Sequence, residues 1–283
     1  MKQNILLIDD DVAYCTGFET LAKKHLFEVH LAHSLEEGVN ILESNRQINA
    51  VVLDGHCFIE PGQSGTPGVN FVFHALHNLD NLEREQNRLI PRCVNTEQPE
   101  EFREELKGLV QVYPKTGDPV FLFRWLRKTI SQLPEWQARE EHAVIFERAG
   151  RVFDDHEIAE LIDLIVFAER PDESDIPAKL SVIRRLLEQL ADACANRLLQ
   201  KNPEEMAGRM GVSVKPIFDA LYSRRLVPKV IQADASRLYS YCSEYGTHIY
   251  RKQQPVYDPD TYAYRRCLNS FLELTGYCTG LMK

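Results

Sequence analysis

The sequence predicts two architectures in one chain: an α/β half built on a doubly wound, five-stranded parallel sheet, then an all-α helical half. Three observations predict this. Through residue 133, apolar runs of strand length alternate with segments of helical spacing, and repeated β–α units imply parallel strands with helices on both faces. Beyond that point strand signals vanish, and apolar residues recur with a 3.6 period. At 283 residues the chain is also long enough for two domains, each burying its own core.

The elements follow in order. "NILLIDDD" (4–11) is a strand that ends in acids, and residues 12–25 carry helical spacing. "FEVHLAH" (27–33) alternates as a strand; "SLEEGVNILES" opens with Ser34 as N-cap and Glu37 three residues on, a capping box. "INAVVLD" (48–54) is a third, buried strand, rich in β-branched Ile48, Val51 and Val52. "GVNFVFHALHNL" (68–79) reads as helix, "LIPRCVNT" (89–96) as strand, and "PEEFREELKGL" (99–109) as a helix beginning at Pro99. "VQVYPK" (110–115) is the fifth strand, and "DPVFLFRWLRKTISQL" (118–133) closes the domain as a helix. The polar, Pro-led "PEWQAREEH" predicts a linker over 134–143. The second half, 144–283, is expected to be helical at 154–169, 176–198, 214–225, 234–245 and 259–279.

Composition excludes several classes. A formal charge of −9 argues against broad, nonspecific nucleic-acid binding. Seven scattered cysteines with no C-x-x-C pair predict buried thiols in a reducing compartment, not a disulfide frame or zinc site. "MKQNILLIDDD" has too short an apolar run for a signal peptide, and no stretch approaches the roughly 18 to 20 apolar residues of a membrane span. The expected location is the cytoplasm, with no membrane partner.

In a parallel sheet the carboxyl ends of the strands share one edge, where ligands bind. Asp9, Asp10 and Asp54 all fall at such ends. At about 4 Å and an effective dielectric near 20, each crowded pair costs on the order of 4 kcal/mol, so protons or a cation must relieve it. Mg²⁺ takes carboxylate oxygens plus waters and adds a phosphoryl oxygen. The cluster therefore reads as a Mg²⁺ site in which Asp54 is the nucleophile toward a phosphoryl group. A hydroxyl ending the fourth strand, Thr96, and a cation ending the fifth, Lys115, are placed to meet that group.

The ordered string "NILLIDDD…VVLDG…PGQSG…IPRCVNT…VYPK" resembles the receiver domain of bacterial two-component response regulators, over residues 4 to about 133. The resemblance implies a flavodoxin-like receiver domain over 1–133, with Asp9 and Asp10 as metal-binding acids, Asp54 as phosphoacceptor, Thr96 as switch hydroxyl and Lys115 as the family's lysine. It further implies that the backbone carbonyl of His56 completes the Mg²⁺ shell, and that a sensor histidine kinase or phosphotransfer protein is the donor. Two departures stand out: the loop from Asp54 to Pro61 and Gly65 is lengthened, and proline precedes Lys115 (Pro114) instead of following it.

The second half is similar to HEPN-like helical domains of prokaryotic defence and toxin proteins. The likeness rests on an R-x-x-L-E helix (Arg184, Leu187, Glu188), a short helix before the "LVP" turn, and a helix ending in G-x-H. Active members of that family cut RNA with an arginine a few residues ahead of a histidine, the histidine acting as acid or base. Here His248 exists, but the required window holds Tyr241, Cys242 and Ser243; Arg237 lies eleven positions upstream, about 16 Å along a helix. Arg251 could substitute if the chain turns at Gly246. The resemblances together imply a response regulator whose helical output switches by conformation or homodimerisation, in stress or phage defence, with ribonuclease activity at His248 left open.

A rival reading stays open. "PEEMAGRMGVSVKPIFDALYSRRL" (203–226) imitates a helix–turn–helix with Lys215, Arg224 and Arg225 on the recognition helix, Pro216 being tolerable in its first turn, and predicts a DNA-binding regulator. His74 and His77, one helical turn apart, lack a third metal ligand and read as a solvent-facing pair. The tyrosines between 239 and 264 could stack bases but at helical spacing read as core or interface.

Overall fold

The computed structural model describes residues 3–63, 65, 70–206, 214–247 and 260–282, and the chain divides into two compact units, 1–137 and 138–283. The first is an α/β unit whose five strands are β1 (Gln3–Ile8), β2 (Phe27–Ala32), β3 (Ile48–Leu53), β4 (Arg92–Thr96) and β5 (Gln111–Pro114), ordered β2-β1-β3-β4-β5. Every pairing is parallel, with Ile8 opposite Leu53 and Thr96 opposite Pro114. The expected doubly wound sheet is therefore present. Strand side chains alternate between its faces. Leu6, Ile8, Val51, Leu53 and Val94 pack with Leu42, Val72, Ala75 and Leu79, on α2 (Leu35–Ser44) and α3 (Phe71–Gln86). Ile5, Leu7, Ala50, Val52 and Cys93 pack with Phe18, Phe123 and Leu126, on α1 (Val12–Lys24) and α5 (Val120–Ile130).

Local chemistry sets the boundaries. Asp11 caps α1, its carboxylate accepting from the N–H groups of Ala13 and Tyr14. Ser34 caps α2 by accepting from Glu37 N, but Glu37 Oε2 returns to His33 N rather than to Ser34 N, so the expected box is displaced by one residue. The lengthened loop after β3 has a structural use. Phe58 and Ile59 carbonyls accept from the N–H groups of Leu35 and Glu36, two of the donors that a helix start leaves unpaired.

One expectation in this unit is corrected, and the stretch after it gains an element. The helix expected over 99–109 is only α4 (Pro99–Arg103), followed by turns. Phe102 and Leu106 both enter the core, and Gly108, at φ +80, turns the chain into β5. The polar stretch expected as a linker holds a helix, α6 (Pro134–Glu141), with Pro134 in its first turn and Trp136 buried in the sheet unit's core.

In the second unit all described elements are helical: α7 (Ala143–Ala149), α8 (Asp155–Glu169), α9 (Ile176–Cys194), α10 (Pro203–Met206), α11 (Val214–Ser223), α12 (Lys229–Thr247) and α13 (Thr261–Leu281). The apolar stripe of α9, Ile183, Leu186, Leu187, Leu190 and Cys194, is fully buried in a single core cluster with residues of α8, α11, α12 and α13. A five-residue π segment, Ala195–Leu199, ends α9 at Gln200 in the left-handed region. No helix among the described residues is long and apolar enough to cross a membrane.

Candidate functional site: a buried carboxylate cluster at the sheet edge

β1 and β3 lie side by side at the point where the strand order reverses, the place where open α/β sheets present a ligand crevice. Because Ile8 and Leu53 are in register, the residues that follow them, Asp9 and Asp54, leave the sheet together. Asp9 is fully buried and Asp54 nearly so, at 8% exposure. Asp10 is half-buried beside them, and each of the three carboxylates offers an oxygen within 4.8 Å of the others'. These acids were read from the sequence as sharing one rim, and the geometry brings them together.

Lys115, just past β5, reaches back into the cluster. Its Nζ lies 2.8 Å from Asp9 Oδ2 and 3.0 Å from Asp54 Oδ2, with the side chain 8% exposed. Backbone geometry holds it there, since Lys115 N–H donates to Thr96 O at 2.8 Å. The Tyr14 ring lies under the ammonium, 4.4 Å from Nζ to the centroid. Tyr14 itself is fixed by its hydroxyl, which bonds Asn95 Oδ1, and Asn95 Nδ2 donates to Tyr113 O at 3.3 Å.

The electrostatics follow from burial. Desolvation, then the charge of Asp9, push the Asp54 carboxyl up to about 6, against the opposing pull of Lys115. Burial also raises Asp9, more than Lys115 and the Asp11 N–H lower it. For Lys115, burial works against the ammonium, but its bond to Asp9 and the charges of Asp54 and Asp9 outweigh it, so its pKa is raised. Among the described residues one cation, Lys115, therefore stands against three carboxylates, and its ammonium is shared between Asp9 Oδ2 and Asp54 Oδ2. A largely buried, all-oxygen donor set of three carboxylates fits a small hard cation, and Asp9, Asp10 and Asp54 would hold it.

Thr96 ends β4 buried, its Oγ1 accepting from Gln98 N at 3.2 Å. It stands against the residue after Asp54: a Cβ added at Gly55 would fall 2.5 Å from Thr96 Oγ1 and 2.7 Å from the Phe102 ring. His56 points its imidazole at Glu101, 3.6 Å away, and meets the Phe102 ring edge-on. Sequence reasoning missed Tyr14 and Phe102. The first sits three residues into the helix that Asp11 caps. The second is signalled only by an apolar pair, Phe102 and Leu106, four apart in an acidic run.

The remaining candidates lie elsewhere. His248 falls outside the described residues, as do 207–213 within the expected helix–turn–helix. Of that motif's basic residues only Lys215 is on α11, whose Val214, Ile217, Phe218 and Leu221 are buried in the helical core. Arg224 and Arg225 lie beyond its end; Arg224 donates to Leu199 O, and Arg225 has φ 59. The R-x-x-L-E residues are side by side on α9: Leu187 is in the core, while Glu188 pairs with Arg184 at 3.6 Å and accepts from the Tyr239 hydroxyl at 3.1 Å. His74 and His77 are exposed on α3.

No protein-family model matches the chain, and no curated protein matches it. Among solved structures, the chain is similar to a response regulator receiver domain protein from Clostridium thermocellum, with 19% identity, 46% of this chain and 95% of that one covered, and a TM-score of 0.35. It is similar to the signal receiver domain of an HD domain-containing protein from Pseudomonas fluorescens Pf-5, at 18% identity, 46% and 96% coverage and a TM-score of 0.35. A third is the non-phosphorylated HemR receiver domain from Leptospira biflexa, at 22% identity, 46% and 95% coverage and a TM-score of 0.34.

Proposed function

We propose that the chain is a cytoplasmic response regulator of a two-component system, in which Asp54 accepts a phosphoryl group from a histidine kinase or phosphotransfer protein and the helical half is the output. The observation that carries this reading is the Lys115 ammonium held between the buried Asp9 and Asp54 carboxylates, with Asp10 beside them. A structural ion pair needs one acid; the extra acids crowded around one ammonium are what a site for a cation and an incoming anion requires.

The chain's own groups account for the chemistry. A carboxylate oxygen of Asp54 attacks phosphorus, and the P–O bond forms as the donor's P–N bond breaks. Asp9, Asp10, Asp54 and, by resemblance to receiver domains, the His56 carbonyl would hold Mg²⁺, which would supply positive charge to the incoming phosphoryl group. Asp54 must be ionised to attack, and its carboxyl, raised to about 6, still loses its proton by neutral pH. Lys115 exchanges a carboxylate oxygen for a phosphoryl oxygen. Thr96 turns its hydroxyl from Gln98 N toward the new group. Because Thr96 and Phe102 both crowd Gly55, a shift of Thr96 is passed to α4. Driving a two-state switch from 1:99 to 99:1 takes about 5.5 kcal/mol, within reach of a new dianion paired with a buried lysine. The output changes by conformation or by homodimerisation.

The test is labelling with a small phosphodonor. Wild type takes up one phosphoryl group only with Mg²⁺ present, and Asp54→Asn takes up none; equal labelling of the two proteins removes the assignment.

A further inference from the structure

Two pairs of cysteines meet inside the helical half, far apart in sequence. Cys194 of α9 contacts Cys278 of α13, and Cys242 of α12 contacts Cys267 of α13, each pair joined by a side-chain hydrogen bond. All four are free thiols. Their surroundings differ. Cys194 and Cys278 are wholly buried. Cys267 is 8% exposed and, among the described residues, lines a cavity of about 280 Å³ with Arg237, Tyr241, Tyr262, Arg266 and Ser270. Cys242 stands behind it, with no exposure of its own.

The cavity wall carries positive charge. Arg266 and Arg237 are exposed at it; Asp234, also in the lining, pairs with Arg237 only at 3.8 Å. On the inner side, Arg184 of α9 acts on Cys242, and its Nε is buried without a hydrogen-bond partner. The two thiols are thus flanked by guanidinium groups on both sides. The Cys242 thiol donates to Cys267, which lowers the Cys267 pKa; burial opposes and Arg266 assists. For Cys242 the same bond and its burial raise the pKa. A thiol with a lowered pKa beside cations, backed by a second thiol whose pKa is raised, is the arrangement of an attacking and a resolving cysteine.

We propose that Cys267 and Cys242 form a peroxide-oxidised dithiol site, in which a small hydroperoxide entering this cavity oxidises Cys267 and Cys242 closes a disulfide between α12 and α13. The Cys267 thiolate sulfur attacks one peroxide oxygen, the O–O bond breaks, and the departing hydroxide takes a proton to leave as water, giving a sulfenic acid. Cys242 sulfur then attacks the Cys267 sulfur. The S–O bond breaks, and hydroxide leaves with the Cys242 proton as a second water. Peroxide gains two electrons and the two thiols lose two. Reduction by an external dithiol returns both thiols. The site is independent of Asp54 and of the phosphoryl reading.

The experiment treats the reduced full-length chain with hydrogen peroxide at near-stoichiometric amounts, blocks remaining thiols, and maps non-reduced peptides by mass spectrometry. The expected product is a peptide linked through Cys242 and Cys267, removed by dithiothreitol and formed at least about tenfold faster than any Cys194–Cys278 link. Cys242→Ala should trap Cys267 as a sulfenic acid that reacts with dimedone. The proposal is overturned if Cys194 and Cys278 link at the same rate, if the folded chain gives no Cys242–Cys267 link, or if that link appears only in denaturant. Because the wild-type map has its own internal control, it decides the matter even where a variant fails to fold.

Discussion

At the C-terminal edge of the sheet the chain buries two carboxylates, an amide and a hydroxyl together, Asp9, Asp54, Asn95 and Thr96. The helical half buries Gln232, Thr275 and Thr279, none of them ionisable, among its described residues. Thr279 Oγ1 donates to Thr275 O and Gln232 Nε2 to Asp219 Oδ1, each at 2.6 Å, while Thr275 Oγ1 is buried without a hydrogen-bond partner. The sheet edge instead crowds three carboxylates around one ammonium, Lys115, among the described residues. Like charges crowded in a buried site are destabilising, and a bound cation would relieve them.

The contrast can be broken by mutation, and the largest effect belongs to packing. Phe218→Ala, at a fully buried position of α11, should cost about 3–5 kcal/mol, read by urea unfolding of the full chain, while Mg²⁺ still stabilises the sheet unit as in wild type. A loss of the Mg²⁺ response in this variant would show that the two halves do not divide the work as described. Lys115→Met removes the cation between Asp9 and Asp54 and should cost about 3 kcal/mol without metal, with much of it recovered on adding Mg²⁺. If Mg²⁺ returns nothing, the carboxylates do not hold the ion.

Gly55→Ala sharpens the link between acceptor and α4. Its methyl would meet Thr96 Oγ1 and the Phe102 ring below 3 Å, an overpacking cost of about 1–3 kcal/mol, with faster hydrogen exchange in 99–106 as the readout. The smallest effect is in pH. The folded state holds the Asp54 proton more tightly than the unfolded chain, about 6 against 3.8. In EDTA, wild-type stability should therefore fall relative to Asp54→Asn as pH rises from about 4 to about 6, and the difference should level off above that. An opposite slope would mean that the ionised acid is favoured by folding, as in an ordinary salt bridge.

The sheet half was legible because its short apolar strand runs, Gly and Pro punctuation and terminal acids are local signals. Asp9, Asp10, Asp54, Thr96 and Lys115 were all found as strand-end residues, since parallel topology puts strand ends on one edge. Tyr14 and Phe102 were missed because their contact with the site depends on helix orientation, which spacing alone does not fix. The short α4 was overextended for a related reason: its acidic run reads as helix, but the burial of Phe102 and Leu106 and the turn at Gly108 prevail. In 134–143 polar composition hid a helix anchored by Trp136. The thiol pairs had no signal at all, because Cys242 and Cys267 meet only through tertiary packing.

The most direct measurement locates the modification itself. After incubation with a phosphodonor and Mg²⁺, borohydride reduction converts an acyl phosphate into homoserine, which peptide mass mapping assigns to one residue. The result predicted is conversion at position 54 and at no other acid. Conversion at Asp9 or Asp10, or intact carboxylates throughout with Mg²⁺ bound, would contradict the account.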